Sequence, residues 1–117
     1  MRPGGRISGY VIHTVAELSA EAEQRVVDLM PMAVLADGSP VELHERAGFS
    51  VVTCVDVTDP FRATSAAILR ARAEHEAELR AVDGDEAYED DQQRKVSVQI
   101  GIDEGLLLRS LVVAVKD

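Results

Sequence analysis

His13 and Thr14 close an apolar run, Arg6–Thr14 (RISGYVIHT), that reads as a strand. An imidazole and a hydroxyl at the carboxyl end of a strand stand where open α/β sheets hold their ligands. Tyr10 lies in the layer beneath them. Phe61, Arg62, Thr64 and Ser65 open a long helical stretch just after a second strand, Ser50–Thr58 (SVVTCVDVT), and are placed to close over a small molecule. The chemistry available to such a set is that of a polar lip around a substrate pocket. Two plainer readings stand beside it: a polar strand end meeting solvent, and ordinary packing at a helix start.

Other reactive side chains form no constellation. His13, His44 and His75 lack H-x-x-x-H or H-E-x-x-H spacing, so a metal site is not expected. Cys54 sits mid-strand among apolar residues and reads as an inert core thiol. No G-x-S-x-G elbow is present. The acidic group Asp83, Asp85, Glu86, Glu89, Asp90, Asp91 lacks the order of a calcium loop and reads as a solvated face. The net charge of −9 argues against nucleic acid or an anionic membrane as partner, both of which need clustered Lys and Arg. One cysteine, no apolar run long enough to cross a bilayer and no signal-peptide core point to a cytoplasmic protein.

The positioning elements follow from pattern. Residues 1–117 are one domain's worth of chain, 46% apolar but only 3% aromatic, so the core must be aliphatic. Leu106–Val115 (LLLRSLVVAV) is the most apolar run and predicts a strand covered on both faces at the centre of a sheet. Arg6–Thr14, entered by the Pro3-Gly4-Gly5 turn, also reads as buried. Ser19 predicts a helix N-cap, with Glu21 and Glu23 in the first turn, Ala22, Val26, Leu29 and Met30 inward, and Pro31 as the stop. Ser39-Pro40-Val41-Glu42 predicts a capped short helix ending at Gly48. Asp59-Pro60 repeats that signal, and Phe61–Val82 contains no breaker. Its Ala66, Leu69, Ala73, Ala77 stripe predicts packing against another helix. A further helix begins near Glu86. Lys95–Ile102 (KVSVQIGI) alternates like a strand, yet EAYEDDQQR before it is helical in composition and no turn separates them. Helix through about Glu104 is the preferred reading, with strand the alternative.

The order of these elements resembles the carboxyl-terminal part of class I S-adenosylmethionine-dependent methyltransferases of the small-molecule type. The resemblance rests on the Pro-Gly-Gly-Arg turn into a strand (Met1–Thr14), on His-Glu-Arg-Ala-Gly-Phe into a Val-rich strand (Glu42–Thr58), and on the final Leu-Val-Val-Ala-Val-Lys strand (Leu106–Lys116). It implies a partial Rossmann-like α/β fold, or α+β for the chain alone. The three-stranded mixed sheet would run in the order first, last, second. The last strand would be central and antiparallel, about four helices would pack on the sheet, and a helical insertion over about 59–104 would roof a substrate pocket. Tyr10, His13, Thr14, Phe61 and Arg62 would border that pocket. The family's cofactor motifs lie in its first half, and none occurs here: Gly4-Gly5 precedes a strand instead of joining a strand to a helix. The resemblance thus implies S-adenosylmethionine for the family but no cofactor, and no catalytic residue, for this chain alone.

That order leaves the first strand without a neighbour on one side, as though a preceding element were missing. Ile7, Gly9, Val11 and Ile12 would then form an edge without charge to block pairing. A homodimer through this strand, or through swapped helices hinged at Gly84 and Gly105, is expected. A separate amino-terminal methyltransferase half is the alternative partner, and a small-ligand binding protein the alternative role.

Overall fold

The computed structural model describes every residue except 32–34 and 36. Three strands, β1 (Arg6–Thr14), β2 (Phe49–Asp56) and β3 (Leu107–Lys116), form one sheet in the order β1-β3-β2. Both pairings are antiparallel, so β1 and β2 run the same way on either side of β3. Among the described residues the helices are α1 (Ala20–Leu29), α2 (Pro40–Arg46), α3 (Thr58–Glu74), α4 (Glu76–Asp83) and α5 (Asp85–Asp103). The expected order, with the last strand central, holds.

The central strand earns its place by composition. Ser110, Val112 and Ala114 are buried on one face of β3, and Leu107 on the other joins Phe61 of α3 and Ile102 of α5 in the core, with Met30 and Val98 packed against them. Val26 on α1 is fully buried. Helix starts follow the capping signals: Ala22 N–H donates to Ser19 Oγ at 3.1 Å, and Glu42 N–H to Ser39 Oγ at 3.2 Å. The segment 95–102 is helical, inside α5.

Four expectations need correction. β1 is not a buried strand: Tyr10 is 62% and Ile12 56% exposed, because β3 pairs with it on one side only and it lies at the sheet edge. Cys54 is exposed, not a core thiol, for the same reason at the opposite edge, where β2 also carries a bulge between Val51 and Thr53. The helix expected over Phe61–Val82 begins at Thr58 and divides at His75. Tyr88 of α5 packs at the break, its hydroxyl 3.4 Å from both the Arg72 carbonyl and Glu76 Oε1. Finally, the alanine stripe buries only in part. Ala66 and Leu69 are half-buried, while Ala73 and Ala77 are exposed. α3 meets α5 through the Phe61–Ile102 contact and, further along, through polar side chains, with Gln99 Nε2 donating to the Arg62 carbonyl at 3.2 Å and Arg72 Nε to Gln92 Oε1 at 2.6 Å.

Candidate functional site

Alternation along β1 divides the expected site residues between two faces of the sheet. Tyr10, Ile12 and Thr14 share one face; Val11 and His13 share the other. On the second face, His13 Nε2 lies 2.9 Å from Ser110 Oγ and Nδ1 lies 3.1 Å from the Thr14 carbonyl. A carbonyl only accepts, so in the neutral ring Nδ1 carries the proton and Nε2 accepts from the Ser110 hydroxyl. Ser110 is buried and stands opposite both Val11 and Asp56 in the sheet register.

Asp56 organises the end of β2. Its Oδ1 accepts from Thr58 N–H at 2.8 Å, and Thr58 Oγ1 accepts from Arg109 N–H at 3.1 Å. The Thr58 hydroxyl and amide hold the Asp56 carboxyl below its ordinary range, with a smaller contribution from the charge of His13. This carboxylate therefore opens α3, in place of the Asp59-Pro60 start read from the sequence. The result is a polar cluster of His13, Ser110, Asp56 and Thr58 at the carboxyl ends of β1 and β2.

The first face is built differently. The Arg109 guanidinium lies 4.2 Å from the Tyr10 ring centroid and 5.2 Å from that of Phe61, a cation between two aromatic faces. Beside it is a hollow of about 210 Å³ lined by Ile12, Phe61, Ser65, Ile68, Lys95 and Val98. A larger depression of about 560 Å³ lies between α1 and the end of α5. Two of its charges satisfy one another, Arg25 pairing with Glu104 through two hydrogen bonds of 2.9 and 2.7 Å, and the others, Glu21 and Asp28, are acidic.

Of the five residues expected at a pocket, Arg109 joins two, Tyr10 and Phe61. Thr14 is buried on their face, and His13 belongs to the polar cluster on the other. Arg62 turns away to Asp59 at 2.6 Å and Asp103 at 3.3 Å. The residues that sequence reasoning missed are Arg109, Ser110, Asp56, Thr58 and Lys95. Arg109 carried a signal: it is the one charge inside an otherwise apolar strand run.

Comparison with known proteins places this architecture. No protein-family model and no curated protein sequence matches the chain. Solved structures do. A candidate sarcosine dimethylglycine methyltransferase from Galdieria sulphuraria superposes with a TM-score of 0.82 at 12% identity, over 100% of this chain and 43% of the other. The fold is part of a methyltransferase fold. Phosphoethanolamine N-methyltransferase 2 of Haemonchus contortus gives 0.75 at 17% identity, over 99% and 27% of the two chains. A cyclopropane synthase of Mycobacterium tuberculosis gives 0.72 at 16%, over 99% and 46%. This chain thus spans less than half the length of each of these structures. Among the described residues no helix is long and apolar enough to cross a membrane.

Proposed function

We propose that this polypeptide is the carboxyl-terminal, substrate-side unit of a small-molecule methyltransferase fold, that it transfers no methyl group by itself, and that it pairs through β1 with a second copy. The observation that carries this reading is the state of β1, which is paired on one side only and exposes Tyr10 and Ile12. Backbone N–H and C=O groups along such an edge seek a partner strand, and exposed apolar side chains beside it favour burial. A two-fold pairing of Arg6–Thr14 with itself would meet both demands and extend the sheet to six strands, with Ile7, Gly9, Val11 and Ile12 at the joint. Neither strand-to-helix connection, after Thr14 or after Asp56, contains the glycines that a nucleoside cradle needs. On this reading the chain works in the cytoplasm.

A second reading is favoured by the length of the relatives. Because the chain spans 43% and 46% of two of them, the β1 edge also fits a strand from a cofactor-bearing half. The unit would then supply the substrate wall of an enzyme completed in trans.

Sedimentation equilibrium and calorimetric titration test both. The isolated chain is expected to be a dimer at micromolar concentration and to give no heat with S-adenosylmethionine or S-adenosylhomocysteine. A Cβ added at Gly9 would meet nothing within 4 Å, so Gly9→Lys leaves the fold intact and places a charge at the middle of the joint. That variant is expected to sediment as a monomer with an unchanged circular dichroism spectrum. A wild-type monomer sinks the self-pairing, and micromolar cofactor binding by the chain alone sinks the claim of incompleteness.

A further inference from the structure

We propose that the hollow beside Arg109 binds a small amphiphilic anion, an oxyanion head on an apolar body of a few carbons. The inference deepens the reading above, since it takes the Tyr10 face of the sheet as the substrate face.

Four observations converge. The hollow is mostly apolar, with Ile12, Phe61, Ile68 and Val98 as walls, and at about 210 Å³ it is smaller than the pockets that hold drug-sized ligands. Arg109 does not line the hollow itself but borders two of its walls: it stands opposite Ile12 in the β1–β3 register and stacks on the Phe61 ring. A guanidinium stays charged at every pH a protein meets, yet Arg109 Nε is buried with no hydrogen-bond partner. No carboxylate among the described residues pairs with Arg109, although the chain has 21 acidic side chains against 12 Lys and Arg.

On the far wall Lys95 reaches the same hollow, again without an ion pair among the described residues, and Ser65 adds a hydroxyl. Six other arginines, Arg25, Arg46, Arg62, Arg72, Arg80 and Arg94, are drawn into ion pairs, while Arg2, Arg6 and Arg70 show none among the described residues but lie away from the hollow's lining. Two unpaired cations around one apolar hollow are complementary to a negative head group with a short hydrocarbon tail. The stacked rings hold the guanidinium in place without neutralising it, which keeps its donors available for a bidentate contact. A cationic amine would be repelled by both groups. A neutral alcohol would bury its tail but leave the charges unanswered.

Calorimetry and thermal shift on the full chain test this with four probes of equal tail length: hexanoate, hexyl phosphate, hexanol and hexylamine. Both anions are expected to bind and to raise the melting temperature, while hexanol and hexylamine do neither at the same concentration. The tighter of the two anions identifies the head group. Lys95→Gln, at a half-buried position of α5, is expected to weaken anion binding about tenfold, the usual scale for one charge-assisted contact. Arg109→Gln, checked for folding by circular dichroism, is expected to abolish it. Equal binding of hexanol, no binding of either anion, or unchanged affinity in Lys95→Gln overturns the proposal. Each of those failures leaves the sedimentation and cofactor results standing, so the two readings fail separately.

Discussion

Phe61→Ala is the substitution that most directly tests how α3 is fastened to the sheet. Phe61 is 6% exposed and packs with Ile102 and Leu107 while its ring faces Arg109. Removing the ring returns about 100 Å² of apolar burial, or roughly 2.5 kcal/mol at about 25 cal/mol per Å². The cavity term is smaller than in a sealed core, because Phe61 also lines an open hollow into which Ile12 and Ile68 can relax. Adding the lost stacking of Arg109, on the order of 0.5 kcal/mol, gives a loss of about 3–4 kcal/mol. A domain of this size has about 6–18 kcal/mol to lose. In urea the midpoint should fall by about 2 M with an unchanged slope. Wild type and variant must be compared at one protein concentration, since self-association would add a mass-action term. Phe61→Leu should lose less than half as much. A loss under about 1 kcal/mol for Phe61→Ala would refute the reasoning, because it would mean that α3 is not held to the sheet through this ring.

Asp56 makes the acid limb of stability testable. Its folded pKa is lowered, so the carboxylate contributes stability that is complete above its unfolded value, near 3.8, and is lost as pH falls through the lower folded value. Asp56→Asn should therefore melt lower than wild type at neutral pH, with the difference shrinking in melts taken below about pH 4; a constant gap down to about pH 2 would show that the Asp56 charge plays no part. Gly101→Ala probes the α1–α5 contact: the new Cβ would lie 3.0 Å from Met30 Cε and 3.6 Å from Leu107 Cβ. The methyl end of Met30 can swing aside and the helix gains up to about 1 kcal/mol of propensity, so denaturation should find the variant within about 0.5 kcal/mol of wild type or slightly more stable. A loss above about 1.5 kcal/mol would mean that Met30 is pinned.

Topology was legible in the chain because its signals are local and redundant. Leu106–Val115 has no polar face to give to solvent except at Arg109 and Ser110, so it had to be central. Ser19 and Ser39 announced α1 and α2, and both hydroxyls accept the expected amides. The alternation in Lys95–Ile102 was a weaker guide than the unbroken helical composition before it. There Ser97 and Gly101 are small residues on the packed side of a helix, not the polar positions of a strand. The break at His75 was illegible because no Gly or Pro marks it and the residue packed there, Tyr88, sits 13 positions away, flanked by Arg72 and Arg80 at 5.5 and 4.4 Å. The early start of α3 was hidden in the same way, since the carboxylate that accepts its first amide, that of Thr58, belongs to Asp56 at the last position of β2.

The site was half legible, and the missing half follows from how strands divide their residues. Reading Tyr10, His13 and Thr14 together treats neighbours in sequence as neighbours in space, but a strand sends alternate side chains to opposite faces. His13 therefore joins Ser110 and the end of β2, whereas Tyr10 joins Phe61, and it is β3 that supplies the connecting residue to each: Ser110 to one face and Arg109 to the other. Two adjacent polar residues in the most apolar strand thus serve two different surfaces. A charge retained at the centre of a sheet carries a desolvation cost that an apolar residue at the same place would avoid. Stacking on Tyr10 and Phe61 offsets part of that cost, but Nε is still left without an acceptor. An anion bound next to the guanidinium would offset a further part of that cost through its charge, without having to reach the buried Nε.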